Sequence, residues 1–91
     1  MPRAKAKIEQ SLLNKGFLGR EGDHRYFTYY RLDGKKSAVF TKTSHTPKMR
    51  EVPDNLITLM AKQCRLNRKQ FLDLVDCPMS RELYEKTIFG A

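Results

Sequence analysis

Two segments rich in aromatic and β-branched residues surround a short turn sequence, and this arrangement restricts the fold most strongly. Residues 25–31 and 37–43 have the composition of β-strands, and Asp33-Gly34 between them is a typical hairpin turn. The pattern therefore predicts an antiparallel hairpin near the centre of the chain. Residues 17–21 predict a brief first strand before it.

A short amphipathic helix is predicted before the strands. Ile8, Leu12 and Leu13 lie at helical spacing, which predicts a helix over residues 4–15 that ends before Gly16. The basic residues at the start of the chain, within residues 1–7, are expected to form a loose arm.

Three helices are predicted after the strands. The first begins at residues 53–55, where Pro-Asp-Asn precedes a broad apolar face. The second covers residues 68–75, because Asn67 and Gln70 form a capping-box pattern before it. The third covers residues 80–89. This order predicts a single α+β domain, a three-stranded antiparallel sheet with helices on one face.

Positive charge is concentrated in the first half of the chain. Residues 1–50 contain 12 Lys and Arg against 4 Asp and Glu, whereas residues 51–91 contain 6 of each kind. The first half therefore carries the whole formal net charge of +8. Such an asymmetry favours a polyanionic partner, and nucleic acid in particular.

The remaining composition predicts a reducing compartment. Cys64 and Cys77 lack the spacing of a zinc site, and reduced core thiols are favoured over a disulfide. Neither a secretion signal nor a membrane-spanning segment is recognisable. We therefore expect a cytoplasmic protein that uses no metal ion or cofactor and has no membrane partner.

The two histidines are expected at the open end of the hairpin. A two-residue turn between the strands would place His24 opposite Thr43 and His45 opposite Gly22, so that both imidazoles emerge on one sheet face. A three-residue loop would instead shift the pairing by one residue and turn the side chains of one strand over.

The two-residue turn also assigns the faces of the sheet. The face expected against the helices is the more apolar one, with Phe27, Tyr29, Ala38 and Phe40. The face expected in solvent carries mainly hydroxyl groups, on Tyr26, Thr28, Tyr30, Ser37, Val39 and Thr41.

Several short motifs occur in the order and spacing found in the HicA toxins of toxin-antitoxin systems. They are Ile8-Glu9-Gln10, Leu12-Leu13, Gly16-Phe17, Gly22-Asp23-His24, His45, Leu56-Ile57 and Phe71-Leu72. Over these residues the chain resembles the HicA family, whose members have a fold similar to double-stranded-RNA-binding domains. The resemblance implies an α-β-β-β-α core over residues 8–75. Residues 76–91 then form a C-terminal helical extension that could complete the core, mediate dimerisation or bind a partner.

The resemblance also implies a function, the cleavage of mRNA by an endoribonuclease that a HicB-like antitoxin blocks. His24 then becomes the general base that acts on an RNA 2'-hydroxyl, and His45 is a second candidate, as general acid. The residues expected to contact RNA are Arg20, Arg25, Tyr26, Lys35, Lys36 and Lys42.

Asp23 departs from the family pattern, which has a small hydroxyl residue at this position. A carboxylate beside His24 would repel phosphate. Two other functions therefore stay open: a non-catalytic RNA-binding module of the same fold, and a protein-interaction domain whose basic face binds an acidic partner.

Overall fold

The computed structural model describes residues 3–44, 50–76 and 78–90. In chain order the elements are β1 (Arg3–Ala4), α1 (Lys5–Asn14), β2 (Phe17–Glu21), β3 (Arg25–Tyr30), β4 (Lys36–Thr43), β5 (Glu51–Val52), α2 (Asp54–Gln63), α3 (Arg68–Asp76) and α4 (Arg81–Phe89). β2, β3 and β4 form a three-stranded antiparallel sheet in that order. The α+β class and the antiparallel sheet are therefore confirmed.

The beginning of the chain differs from the loose arm expected there. Arg3 pairs with Val52 and Ala4 with Glu51, so β1 and β5 form a small antiparallel ribbon, and α1 begins directly at Lys5. Strands of two residues have no readable periodicity, and their pairing joins distant parts of the chain. Local sequence patterns could not predict this ribbon.

Helix boundaries follow the predicted end signals. The capping box is present, since the Asn67 backbone N–H donates to Gln70 Oε1 at 3.0 Å and the Gln70 N–H donates to Asn67 Oδ1 at 2.8 Å. Ser80 caps α4 by accepting from the Leu83 N–H at 3.1 Å. After α1, Gly16 adopts a positive φ of 98°, a backbone conformation that residues other than glycine rarely adopt.

The hairpin between β3 and β4 has the longer of the two loops considered above. The Arg31 N–H donates to Lys35 O at 2.8 Å, which leaves Leu32, Asp33 and Gly34 as the loop. Because side chains alternate along a strand, this odd loop length turns β4 over relative to the two-residue expectation.

The assignment of β4 side chains to the two sheet faces was consequently wrong. Val39 and Thr41 face the helices and are almost completely buried, whereas Phe40 is 47% exposed. The pairing also shifts between Thr28 and Tyr30. The β3 assignments are unaffected, so Phe27 and Tyr29 lie in the core as expected.

One continuous core joins the inner sheet face to all four helices. Its fully buried apolar members include Ile8, Leu12, Tyr29, Ile57, Cys64, Phe71, Leu74, Val75 and Tyr84. The C-terminal helix belongs to this core, because Tyr84 packs edge-on against Tyr29 at a centroid distance of 5.0 Å. The Tyr84 hydroxyl donates to Cys64 O at 3.0 Å. The C-terminal extension therefore completes the core.

The described residues also bear on the state of the cysteines, on a metal site and on a membrane-spanning helix. Cys64 is buried as a free thiol, and Cys77 lies outside the described residues. In the parts of the chain that the structure describes, no His, Cys, Asp and Glu side chains cluster as metal ligands would, and no helix has the length and apolar character to cross a membrane.

Buried acidic groups in this core make the protein sensitive to alkali. Burial raises the pKa of Cys64 from 9.0 to about 12. Burial also raises the pKa of Tyr29 from 10.0 to about 12, aided by its hydrogen bond to Glu85. Because these pKa values are raised in the folded state, their contribution to stability is complete below the unfolded values and is lost as pH rises toward the folded ones.

We expect the free energy of unfolding to fall from about pH 9 upward, each group approaching a slope of about 1.4 kcal/mol per pH unit above its unfolded pKa. Urea unfolding at several pH values, up to about pH 11, measures this free energy. The control is Cys64→Ala, whose stability should fall less steeply between about pH 9 and 10 than that of the unaltered protein. Identical slopes would contradict the assignment to Cys64.

Candidate RNA-binding and catalytic site

His24 lies in the tight turn that joins β2 to β3. The last strand pair is Glu21 with Arg25, and the Gly22 N–H donates to His24 O at 3.0 Å to close the turn. The side chain is partly exposed. Its ring meets the Tyr26 ring edge-on, with centroids 6.2 Å apart. The imidazole is therefore supported by a neighbouring aromatic ring while it stays accessible to solvent.

A small cavity beside this turn combines the imidazole with two lysines. Its volume is about 140 Å³, and its lining includes His24, Lys5 and Lys42. Most of the remaining lining is apolar and comes from β5 and α2, with Val52, Leu56, Leu59 and Met60. The Lys5 ammonium donates to Ser44 O at 3.0 Å. An imidazole and two lysines thus line one cavity, a combination that can act on a phosphate ester.

The predicted proximity of the His24 and His45 imidazoles concerns a residue that the structure does not describe. His45 lies outside the described residues. The pairing on which that expectation depended was wrong by one position, because Thr43 lies opposite Arg25 and not opposite His24. The three-residue hairpin loop and the register shift between Thr28 and Tyr30 together produce this pairing.

Tyr26 on β3 lies between Arg20 on β2 and Lys42 on β4. Cross-strand pairing joins Arg20 to Tyr26 and Tyr26 to Lys42, so the three side chains form one row across the sheet. Both cations are exposed. Among the residues that the structure describes, no carboxylate lies within ion-pair distance of either one. This row brings three predicted RNA contacts together.

Arg25 is placed differently from the other predicted RNA contacts. Its guanidinium forms ion pairs with Glu9 at 3.1 Å and with Glu21 at 3.2 Å. Glu9 also accepts a hydrogen bond from the Thr43 hydroxyl at 2.6 Å. Arg25 therefore joins α1 to the sheet, and its charge is largely compensated by carboxylates.

Lys35 and Lys36 lie at the other end of the hairpin. Lys35 closes the β3–β4 loop, and Lys36 pairs with Tyr30 at the first position of β4. Both are exposed. The antiparallel strands separate them from His24, which precedes the first residue of β3. They can extend a binding surface but cannot contribute to chemistry at His24.

The sheet side that faces away from the helices carries residues that sequence reasoning missed. We call it the outer sheet face, and its paired residues are Leu18, Arg20, Tyr26, Thr28, Phe40 and Lys42. Leu18 is 59% exposed, and the Phe40 ring lies 6.3 Å from the Tyr26 ring. Phe40 had been expected in the core. A three-residue hairpin loop was the one signal that could have predicted its exposure.

A shallow concavity of about 450 Å³ lies on this face and ends at the His24 turn. Arg20, Tyr26, Thr28 and Phe40 line it together with turn residues that include Asp23. The Asp23 side chain is exposed. The concavity therefore combines two aromatic rings with one cation, Arg20, and two carboxylates, those of Glu21 and Asp23.

A comparison of the chain with protein-family models, with curated proteins and with solved structures found no match in any of the three.

Proposed function

We propose that this protein is an endoribonuclease of the HicA toxin type, cleaving mRNA with His24 as the general base. The observation that carries the proposal is the cavity whose lining contains the partly exposed His24 together with Lys5 and Lys42. Histidine exchanges a proton near neutral pH, and the ammonium groups attract the phosphate of an RNA backbone.

The proposed reaction uses the RNA itself as the nucleophile. His24 takes the proton of a 2'-hydroxyl, and the 2'-oxygen attacks the adjacent phosphorus. A bond forms between the 2'-oxygen and phosphorus, the bond from phosphorus to the 5'-oxygen breaks, and the leaving oxygen takes up a proton. The products are a 2',3'-cyclic phosphate and a 5'-hydroxyl. His45 is the proposed donor of that last proton.

Lys42 is the cation that we assign to the phosphate in this reaction. It is exposed, it lines the cavity with His24, and it lies in the row with Arg20 and Tyr26. Charge that develops on the phosphate oxygens is stabilised by a cation close to them. Arg25 is less suited to this role because Glu9 and Glu21 neutralise it.

A second candidate function is RNA binding without cleavage. The observation that favours it is Asp23, whose exposed carboxylate lies next to His24 in the same turn. This carboxylate would repel a phosphate approaching the imidazole. In that case the basic and aromatic surface binds RNA, and His24 serves as a hydrogen-bond donor.

The proposal includes a HicB-like antitoxin as protein partner and the cytoplasm as the place of action. An antitoxin that covers the His24 cavity would block access to RNA. A small HicB-like reading frame beside the gene would support this part of the proposal. A protein-interaction domain, in contrast, would bind an acidic partner and show little affinity for RNA at physiological salt.

The test is to incubate the pure protein with a structured RNA in the presence of a chelator and to identify the new ends. We expect fragments that end in 2',3'-cyclic phosphate and begin with a 5'-hydroxyl. The matched control is the same RNA with 2'-O-methyl groups, which lacks the nucleophile and should stay intact. Intact unmodified RNA, with binding that weakens steeply as salt rises, would establish the second candidate instead.

A further inference from the structure

We infer that the outer sheet face binds single-stranded RNA, with bases stacked on Tyr26 and Phe40 and phosphates held by Arg20 and Lys42. The inference rests on the proposed function and adds to it the strandedness of the substrate. In a duplex the faces of the bases are covered by neighbouring bases, so a stacking surface selects single strands.

The aromatic part of this surface consists of two neighbouring rings, those of Tyr26 and Phe40. Phe40 is 47% exposed although it lies within β4, and its neighbour across the sheet is the smaller Thr28. The Tyr26 and Phe40 rings are 6.3 Å apart and inclined by 49°. An apolar ring left in solvent contributes little to folding, but it offers a face to any base.

The charged part of the surface suits a phosphate chain. Neighbouring strands are about 4.8 Å apart, so Arg20 and Lys42 lie close to Tyr26 on its two sides. Glu21, which also lines the concavity, forms an ion pair with Arg25 at 3.2 Å. Asp23 is the remaining acidic residue, and it lies at the end of the surface near His24.

These charges also argue against a second copy of the chain on this face. The chain has a net charge of +8, and a symmetric contact would bring Arg20 and Lys42 of both copies together. The cations Arg20 and Lys42 favour a negatively charged ligand, and the exposed rings of Tyr26 and Phe40 favour flat apolar groups. A polyanion that carries flat apolar groups provides both. Single-stranded RNA is such a polymer.

The outer sheet face leads directly to the proposed catalytic residue. The His24 and Tyr26 rings are perpendicular to each other, with centroids 6.2 Å apart. Lys42 is the cross-strand neighbour of Tyr26 and also lines the His24 cavity. A base stacked on Tyr26 therefore brings the neighbouring ribose and phosphate toward His24. Stacking would position the strand for cleavage.

The experiment measures fluorescence anisotropy with a labelled 2'-O-methyl oligonucleotide of about 12 nucleotides, within the usual span of a single-stranded site. This probe cannot be cleaved, so binding is separated from catalysis. We expect Phe40→Ala to weaken binding roughly 5- to 150-fold, the equivalent of losing one stacked base. Phe40→Tyr keeps the ring and should bind as the unaltered protein does. Leu83→Ala, which truncates an equally exposed apolar side chain on α4, is the matched control and should have no effect.

Three outcomes would overturn the inference. They are an unchanged affinity in Phe40→Ala, tighter binding of a duplex of equal length, and a dimer in sedimentation analysis that Phe40→Ala dissociates. If Phe40→Ala binds normally while unmodified RNA is still cleaved, the inference fails alone. If Phe40→Ala weakens binding while no RNA is ever cleaved, the proposed catalysis fails and the single-strand surface stands.

Discussion

Replacing His24 with alanine is expected to slow RNA cleavage by roughly 10²- to 10⁴-fold, the usual contribution of a general base. Binding of the uncleavable oligonucleotide should change little, because Arg20, Tyr26 and Lys42 supply the contacts. The fold should persist, since His24 is partly exposed and lies in a turn outside the apolar core. Initial rates of cleavage and anisotropy on the same preparation measure the two effects separately.

Two further measurements distinguish a catalytic role from a structural one. Added imidazole should partly restore cleavage by His24→Ala, because it supplies the missing base in solution. His24→Gln keeps a hydrogen-bonding side chain of similar reach and should be as inactive as the alanine variant. Cleavage by His24→Ala at the rate of the unaltered protein would eliminate His24 as the general base. A different residue would then have to activate the 2'-hydroxyl.

Replacing Tyr84 with alanine is expected to destabilise the protein by about 3 to 5 kcal/mol, as for other buried aromatic residues. The Tyr84 side chain is fully buried, and its ring contacts those of Phe17 and Tyr29. Its loss would leave a cavity between α4 and the sheet. Since a domain of this kind is stable by about 5 to 15 kcal/mol, the variant should unfold at a much lower urea concentration.

Two other variants divide this effect into its parts. Tyr84→Phe keeps the ring but removes the hydrogen bond to Cys64 O, and we expect a loss of about 1 to 2 kcal/mol. Leu83→Ala, on the exposed side of the same helix, should change stability by less than about 0.5 kcal/mol. If Tyr84→Ala were no more destabilised than Leu83→Ala, α4 would not be part of the core. Urea unfolding followed by circular dichroism measures all three.

Local signals predicted the helices and the strands of the three-stranded sheet well. The capping box at Asn67 and Gln70 and the cap at Ser80 depend on hydrogen bonds between residues three positions apart, so they can be read in the sequence. The end of α1 at Gly16 depends likewise on the conformation of a single residue. These features need no knowledge of the rest of the fold.

The composition of the candidate site was predicted better than its arrangement. The resemblance to HicA toxins, together with the charge of this half of the chain, indicated His24, Arg20, Tyr26 and Lys42, and the structure places them near one another. The exposure of Phe40 was not predicted, because the sheet face on which Phe40 lies depends on whether the hairpin loop has two or three residues. Side chains alternate along a strand, so one residue in a loop decides which face every β4 side chain occupies.

The sequence by itself determined the approximate positions of the four helices and of the three strands of the main sheet, and which half of the chain is basic, because these properties depend on neighbouring residues and on composition. Only the tertiary structure decided the pairing of β4, the ribbon of β1 with β5, and the packing of Tyr84 beneath the sheet. Each of these joins residues that are distant in the chain. Their pairing is selected by the burial of the whole core, which no local pattern contains.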